Sequence, residues 1–467
     1  MDALPRFPDG FRWGTATAAY QIEGAVQADG RGTSIWDAFC AQPGRIKNGD
    51  TGETACDHYH RWPEDVALIA GLGADVYRFS VAWPRVQPDG RGPAETRGLD
   101  FYERLVDALL EHGIAPFLTL YHWDLPQALE DLGGWTNRDT AHRFADYAAL
   151  VADRLGDRVA AWITLNEPFV HMSEGYSLGT HAPGRMLLLD ALPAAHHLLL
   201  GHGLAVPALR ERATGEILLT NNYSPVWTAA DTPADRAAAD AFDALQNRLF
   251  TDPLLLGRYP DLSAYGMTEF PFVQDGDLAL ISAPIDGLGV NYYSPTRVAA
   301  PAGSAPHEGP SVLGEVGDRI QEVGLPFEDA PIDGHPVTAF GWPVVPDALH
   351  ELLTGLRARY GTALPPITIT ENGCSSHDEP GSPDDDRVAY LDGHLRALHR
   401  AITDGVDVRG YFVWSLLDNF EWAEGYSQRF GLVHVDFETL ERTPKASYHW
   451  LRAQLESQRR PDAPSAP

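Results

Sequence analysis

Apolar positions along this chain fall into two alternating patterns. Short runs rich in valine, isoleucine, threonine and aromatic residues, the composition of buried strands, occur at 11–17, 76–83, 114–121, 160–167, 216–223, 286–293, 366–373 and 408–418. Between them lie longer segments whose apolar residues return every three or four positions. These predict helices over 61–72, 99–112, 140–155, 189–214, 233–250, 346–360 and 387–404. A proline stands in the first turn of the first helix, and Gly113, Gly156 and Gly215 close later ones. Strand-like runs alternating with helices predict an α/β protein, a single (β/α)8 TIM barrel with long βα loops. One barrel domain is expected over 1–455, with 456–467 a disordered tail. Residues 31–60 read as a long ordered loop. The stretch 300–335, rich in Pro, Gly and acids, reads as a loop rather than a linker, because a helix and two strands follow it.

Two of the runs end in a carboxylate. The seventh reads P-I-T-I-T-E-N-G, where residues 367–370 lead to Glu371 and Asn372-Gly373 is a turn signal that stops the strand. The fourth ends in N-E-P, which puts Glu167 at the same kind of lip. In a barrel of parallel strands the C-terminal lip carries the catalytic groups, so both carboxylates are expected to face one bowl. A facing pair suits glycoside hydrolysis: one protonates the leaving oxygen, the other attacks the anomeric carbon or activates water. A separation of about 5–5.5 Å gives retention and about 6.5–9.5 Å inversion, and sequence spacing leaves both open. Arg78 lies inside the second apolar run, where a charge is rare unless paired, so a buried carboxylate is expected beside it. Gln21 follows the first strand with an amide able to donate and accept.

Composition narrows the partners. The 467 residues carry 35 Lys+Arg against 65 Asp+Glu, a formal charge of −30 that repels phosphate backbones and anionic lipid heads. Neither nucleic acid nor a membrane surface is expected as a partner. The 12 Trp and 17 Tyr are plentiful for an α/β chain; some will be core, and a sugar-binding cleft also needs aromatic faces on which a pyranose can stack. Cys40, Cys56 and Cys374 are sparse and lack metal spacing, and His58 and His60 have no completing ligands; no metal or cofactor is expected. No basic segment leads into an apolar run at the N-terminus, and no apolar run is long enough to span a bilayer. A soluble cytoplasmic protein, monomer or small homo-oligomer, is the expectation.

The blocks T-L-N-E-P at 164–168 and I-T-E-N-G at 369–373 resemble the two signatures of the family 1 glycoside hydrolases, the β-glucosidase family. F-R-W-G-T-A-T-A-A-Y-Q-I-E-G-A, A-C-D-H-Y-H-R-W, Y-H-W-D-L-P at 121–126, W-S-L-L-D-N-F-E-W at 414–422 and G-Y-S-Q-R-F-G-L resemble further family blocks, in order from about 11 to 450. The resemblance implies a retaining double displacement on small β-glucosides or cello-oligosaccharides. Glu371 would be the nucleophile and Glu167 the acid, then base. Glu167 should titrate high, from burial and from the charge of Glu371. Arg78 would support Glu371, with Tyr293 as a phenol donor. Gln21, His122, Trp123, Asn166, Glu421 and Trp422 would bind the sugar, Trp414 would stack beneath it, and Trp342 would form the aglycone platform.

Two alternatives share this fold. A 6-phospho-β-glycosidase would need phosphate ligands where this chain has Glu421, Gln428 and Phe430, and a carboxylate there repels phosphate. A catalytically inactive sugar-binding relative would lack one of the two glutamates, and both are present. Transfer to acceptors other than water uses the same residues and stays open. The loops around 177–187 and 300–335 carry no motif that identifies the natural aglycone.

Overall fold

In the computed structural model, which describes residues 3–301, 324–376 and 383–459, eight parallel strands close into a barrel. They are β1 (Arg12–Ala16), β2 (Val76–Ser80), β3 (Ala115–Tyr121), β4 (Ala161–Asn166), β5 (Glu216–Asn222), β6 (Gly287–Asn291), β7 (Ile367–Asn372) and β8 (Val408–Trp414). Each pairs with its neighbours in chain order, and β1 closes on β8 from Arg12 opposite Gly410 to Ala16 opposite Trp414. One outer helix follows each strand: α1 (His58–Leu72), α2 (Thr96–Glu111), α3 (Asp139–Leu155), α4 (Leu192–Arg212), α5 (Pro233–Asp243), α6 (Pro346–Tyr360), α7 (Asp385–Thr403) and α8 (Ala446–Arg459). The barrel interior is plugged by Val76, Phe117, Ala161, Ile163, Leu218 and Phe412, so it is a packed core with no through channel.

Register is lost where the chemistry was expected. The β4–β5 pairing slips between Ile163 and Asn166, and the β7 pairings slip again between Ile369 and Glu371 or Asn372. An extra residue in a strand turns its side chain away from simple alternation. Both carboxylate-bearing strands are thus re-aimed at their C-terminal ends.

Several elements differ from the sequence reading. Residues 31–60 contain a helix (Ile35–Cys40) whose capping box pairs the Ser34 hydroxyl and the Asp37 carboxylate with each other's backbone N–H. The helix expected over 233–250 becomes π-helical at Ala244–Arg248. Strand eight stops at Trp414 rather than 418. Part of 300–335 forms a strand, Glu328–Asp329, in a small sheet with Thr296–Ala299 and Val226–Thr228, while 302–323 lie outside the described residues. The tail expected from 456 begins as helix through Arg459, and its remainder also lies outside the described residues. Among the described residues no helix is long and apolar enough to cross a membrane.

Candidate active site

Glu167 directly follows β4 in the left-handed region, φ 44° and ψ 57°, a conformation that costs a non-glycine residue free energy and swings the side chain out of the strand. Pro168 then opens a helical turn. The carboxyl is buried. Its Oε1 accepts from Asn291 Nδ2 at 2.8 Å and from Asn222 Nδ2 at 3.2 Å. Burial, and next the charge of Glu371, push its pKa up to about 8, against the pull of the two amides and Arg78.

Glu371 meets a different environment. Arg78, 1% exposed, donates from Nη1 to Glu371 Oε1 at 2.5 Å, and Tyr293 donates its phenol to Oε2 at 2.8 Å. Burial raises this carboxyl, while the guanidinium, the phenol and the nearby Asn291 amide hold the rise down. The Tyr293 hydroxyl is itself pushed well above its ordinary range by burial and Glu371, so it remains a neutral donor. The buried partner that Arg78 demanded is therefore Glu371. The same guanidinium also donates to Asn166 Oδ1 at 2.6 Å and to the Thr370 carbonyl at 3.1 Å. The two carboxyls share a cavity of about 360 Å³, within the range of roughly 300–1,000 Å³ usual for small-molecule sites.

The walls of that cavity include His122, Trp123, Tyr293, Trp342, Trp414, Glu421 and Trp422. Trp422 packs 4.5 Å from Trp36 and 4.6 Å from Trp123, centroid to centroid, which fixes its plane. Trp123 spends its indole N–H on the Asn166 carbonyl at 2.9 Å. Trp342 stacks on Phe340 at 4.4 Å and is half-buried. Gln21 and Asn166 are fully buried and bonded to wall residues, Gln21 to Glu421 and Asn166 to His122. The Gln21 amide donates to Asn419 Oδ1, the Phe420 carbonyl and Glu421 Oε2, leaving its own Oε1 without a protein partner. Asn166 donates from Nδ2 to His122 Nε2 at 3.0 Å; the ring proton is then on Nδ1, which has no protein partner. Burial holds the His122 pKa well below its ordinary value, so the ring is neutral. Glu421 is pushed up to about 8 by burial and by Glu371 and Glu167.

Four residues around this cavity carry no sequence signal that singled them out. Asn222 and Asn291 end β5 and β6, and each holds Glu167. Counting the same lip position on every strand would have found both. Glu174 and His181 line the cavity from the segment after Glu167, where a π-helix (His171–Ser177) turns Glu174 inward. Of the residues set aside, His58 donates from Nδ1 to buried Asp65 at 2.8 Å, and Arg442 pairs with the same carboxylate, a structural cluster. Cys40, Cys56 and Cys374 are buried and unbridged. Among the described residues no group of three or more His, Cys, Asp or Glu is arranged to hold a metal ion.

Comparison with known proteins shows the family and the fold. The model of glycosyl hydrolase family 1 matches residues 4–459. A thermostable beta-glucosidase B of Thermobispora bispora is 50% identical over 459 residues, 96% of this chain and 90% of that protein. A bifunctional beta-D-glucosidase/beta-D-fucosidase of Bifidobacterium breve is 47% identical, covering 96% of this chain and 97% of its own length. Among solved structures, the beta-glucosidase of Thermotoga maritima in complex with glucoimidazole superposes with a TM-score of 0.88 at 42% identity, covering 97% of this chain and 99% of that one.

Proposed function

Because this chain belongs to glycosyl hydrolase family 1, we propose that it is a retaining β-glucosidase that releases terminal β-D-glucosyl residues from small β-glucosides and cello-oligosaccharides. Glu371 attacks the anomeric carbon while Glu167 gives its proton to the leaving oxygen, and a glycosyl ester on Glu371 results. Glu167, now ionised, takes a proton from water, which attacks the ester and releases glucose with its configuration retained.

The observation that carries this reading is the contrast between two buried carboxyls in one cavity. One is touched by a guanidinium and a phenol, the other only by neutral amides. Environments that push two carboxyls apart separate nucleophile from acid. Asn291, bonded to Glu167 and close enough to Glu371 to lower it, supports the short spacing of a retaining pair. His122, Asn166, Gln21, Glu421 and Trp422 hold the glucosyl hydroxyls, Trp123 backs Trp422, Trp414 lies beneath the ring, and Trp342 faces the aglycone. The Gln21 Oε1 and His122 Nδ1 left without protein partners fit hydroxyl binding, because a buried polar atom is costly unless a ligand completes it. Glu421, protonated or ionised, offers a phosphorylated sugar no positive charge, and Gln428 and Phe430 supply none either. Glu421 can also accept from hydroxyls of either configuration at the 4-position, which extends the reading to β-fucosides, as the name of the Bifidobacterium relative suggests.

Following 4-nitrophenyl β-glucoside hydrolysis by proton NMR tests the reading. β-Glucose appearing first, then mutarotating, is the expected result. α-Glucose appearing first would mean inversion, and no hydrolysis of β-glucosides would remove the assignment.

A further inference from the structure

We infer that Asn291 and Asn222 are positioning residues that assign the transferable proton of Glu167 to a single oxygen, Oε2. The inference rests on the reading of Glu167 as acid and base.

The argument begins at Arg78, whose guanidinium has donors and no acceptor. The atom of Asn166 that it meets at 2.6 Å must therefore be the amide oxygen. The atom of Asn291 that lies 3.1 Å from that oxygen must then be the amide nitrogen. That same nitrogen lies 2.8 Å from Glu167 Oε1, so Oε1 is obliged to accept. Thr370 locks the far end of the amide by donating its hydroxyl to Asn291 Oδ1 at 2.7 Å. A second amide repeats the logic more loosely: Gln246 donates to Asn222 Oδ1 at 3.4 Å, and Asn222 Nδ2 reaches Glu167 Oε1 at 3.2 Å. A proton on Oε1 would point at two N–H groups. None of the hydrogen bonds made by Glu167 among the described residues uses Oε2.

The consequence is a fixed direction for proton transfer. The Oε2–H bond breaks as the glycosidic C–O bond breaks, its electron pair going to the leaving oxygen, which takes the proton. The charge left on the carboxylate is met at Oε1 by both amides. In the second step Oε2 takes the proton of the attacking water and the acid is restored. The amides favour the ionised form, so they keep the acid from titrating as high as burial alone would drive it.

The test uses Asn222→Ala and Asn291→Ala, each with kcat/KM measured across pH on phenyl β-glucoside and on 2,4-dinitrophenyl β-glucoside. The second leaves without needing a proton. The phenyl substrate is expected to lose about tenfold or more, part of the roughly 10²–10⁴ that general acid catalysis supplies, while the dinitrophenyl substrate loses little. The alkaline limb should move to higher pH in both variants. Equal losses on both substrates with an unmoved limb would overturn the inference and leave the amides a merely structural role. Asn222 is only partly buried, so its variant keeps the test alive should the Asn291 variant fail to fold. Glu167→Gln separates the two layers of the argument. If that variant is not selectively impaired on the phenyl substrate, the assignment of Glu167 itself fails.

Discussion

At the scale of single residues, the role proposed for Glu167 ties catalysis and stability to the same proton. With a pKa of about 8 and a requirement for the protonated form, kcat/KM should fall as pH rises through about 8. The linkage has a definite sign. The folded-state value lies above the ordinary 4.5, so the folded chain holds this proton more tightly than the unfolded one. The associated stabilisation is complete below about 4.5 and is lost as pH rises through 8. Glu167→Gln keeps an acceptor for both amides and cannot ionise. It should be more stable than the parent at pH 8, by on the order of a few kcal/mol and with a higher melting temperature, the gap closing toward pH 4. A calorimetric pH series that shows no such convergence would contradict the raised value. Arg78→Met leaves Glu371 buried without its cation. A loss of about 3–5 kcal/mol is expected in denaturant melts, together with an acid limb moved to higher pH. Arg78 could be read from the sequence because a charge inside an apolar run announces a partner. Asn222 and Asn291 are passed over by such a reading, since a single asparagine at a strand end looks ordinary by itself and stands out only when the same lip position is compared on every strand.

At the scale of elements, the lips of β4 and β7 do the positioning, and only half of how they do so was legible. The periodicity gave every barrel strand, yet it could not show the register slips that aim Glu167 and Glu371, because a bulge leaves no fixed composition. The Asn372-Gly373 pair was read as a turn, and its physical role is different. Asn372 is still strand, with its amide donating to the Tyr292 carbonyl at 2.7 Å and its oxygen accepting from Tyr411 at 2.6 Å. Gly373 is required by proximity: a Cβ there would lie 1.8 Å from the Trp414 carbonyl oxygen. Gly373→Ala must therefore part β7 from β8 and shift both Glu371 and Trp414. Activity should fall by more than tenfold with a clear loss of melting temperature, and an unaffected variant would show that the two lips are not packed this closely. The helix capped at Ser34 lies in a stretch read as loop, because only six residues of it are helical.

At the scale of the whole molecule, closure of the barrel through β1 and β8 brings chain ends together, and with them Gln21 from one end and Trp414 to Trp422 from the other. That closure brings Gln21 within hydrogen-bond reach of Glu421 although 400 residues separate them. The formal charge of −30 fits a molecule that stays soluble while binding an uncharged sugar. Incubation with a chelator should leave activity unchanged, and loss restored by a divalent cation would require a ligand set this account does not contain.

The most direct measurement is to trap the covalent intermediate. Incubation with a 2-deoxy-2-fluoro-β-glucoside bearing a good leaving group slows both steps, the second most of all, so the glycosyl-enzyme should accumulate. Intact mass should rise by one fluoroglucosyl unit, and peptide mapping should place it on Glu371. An adduct on another residue, or turnover that never accumulates an adduct under any excess of reagent, would contradict the double displacement at Glu371.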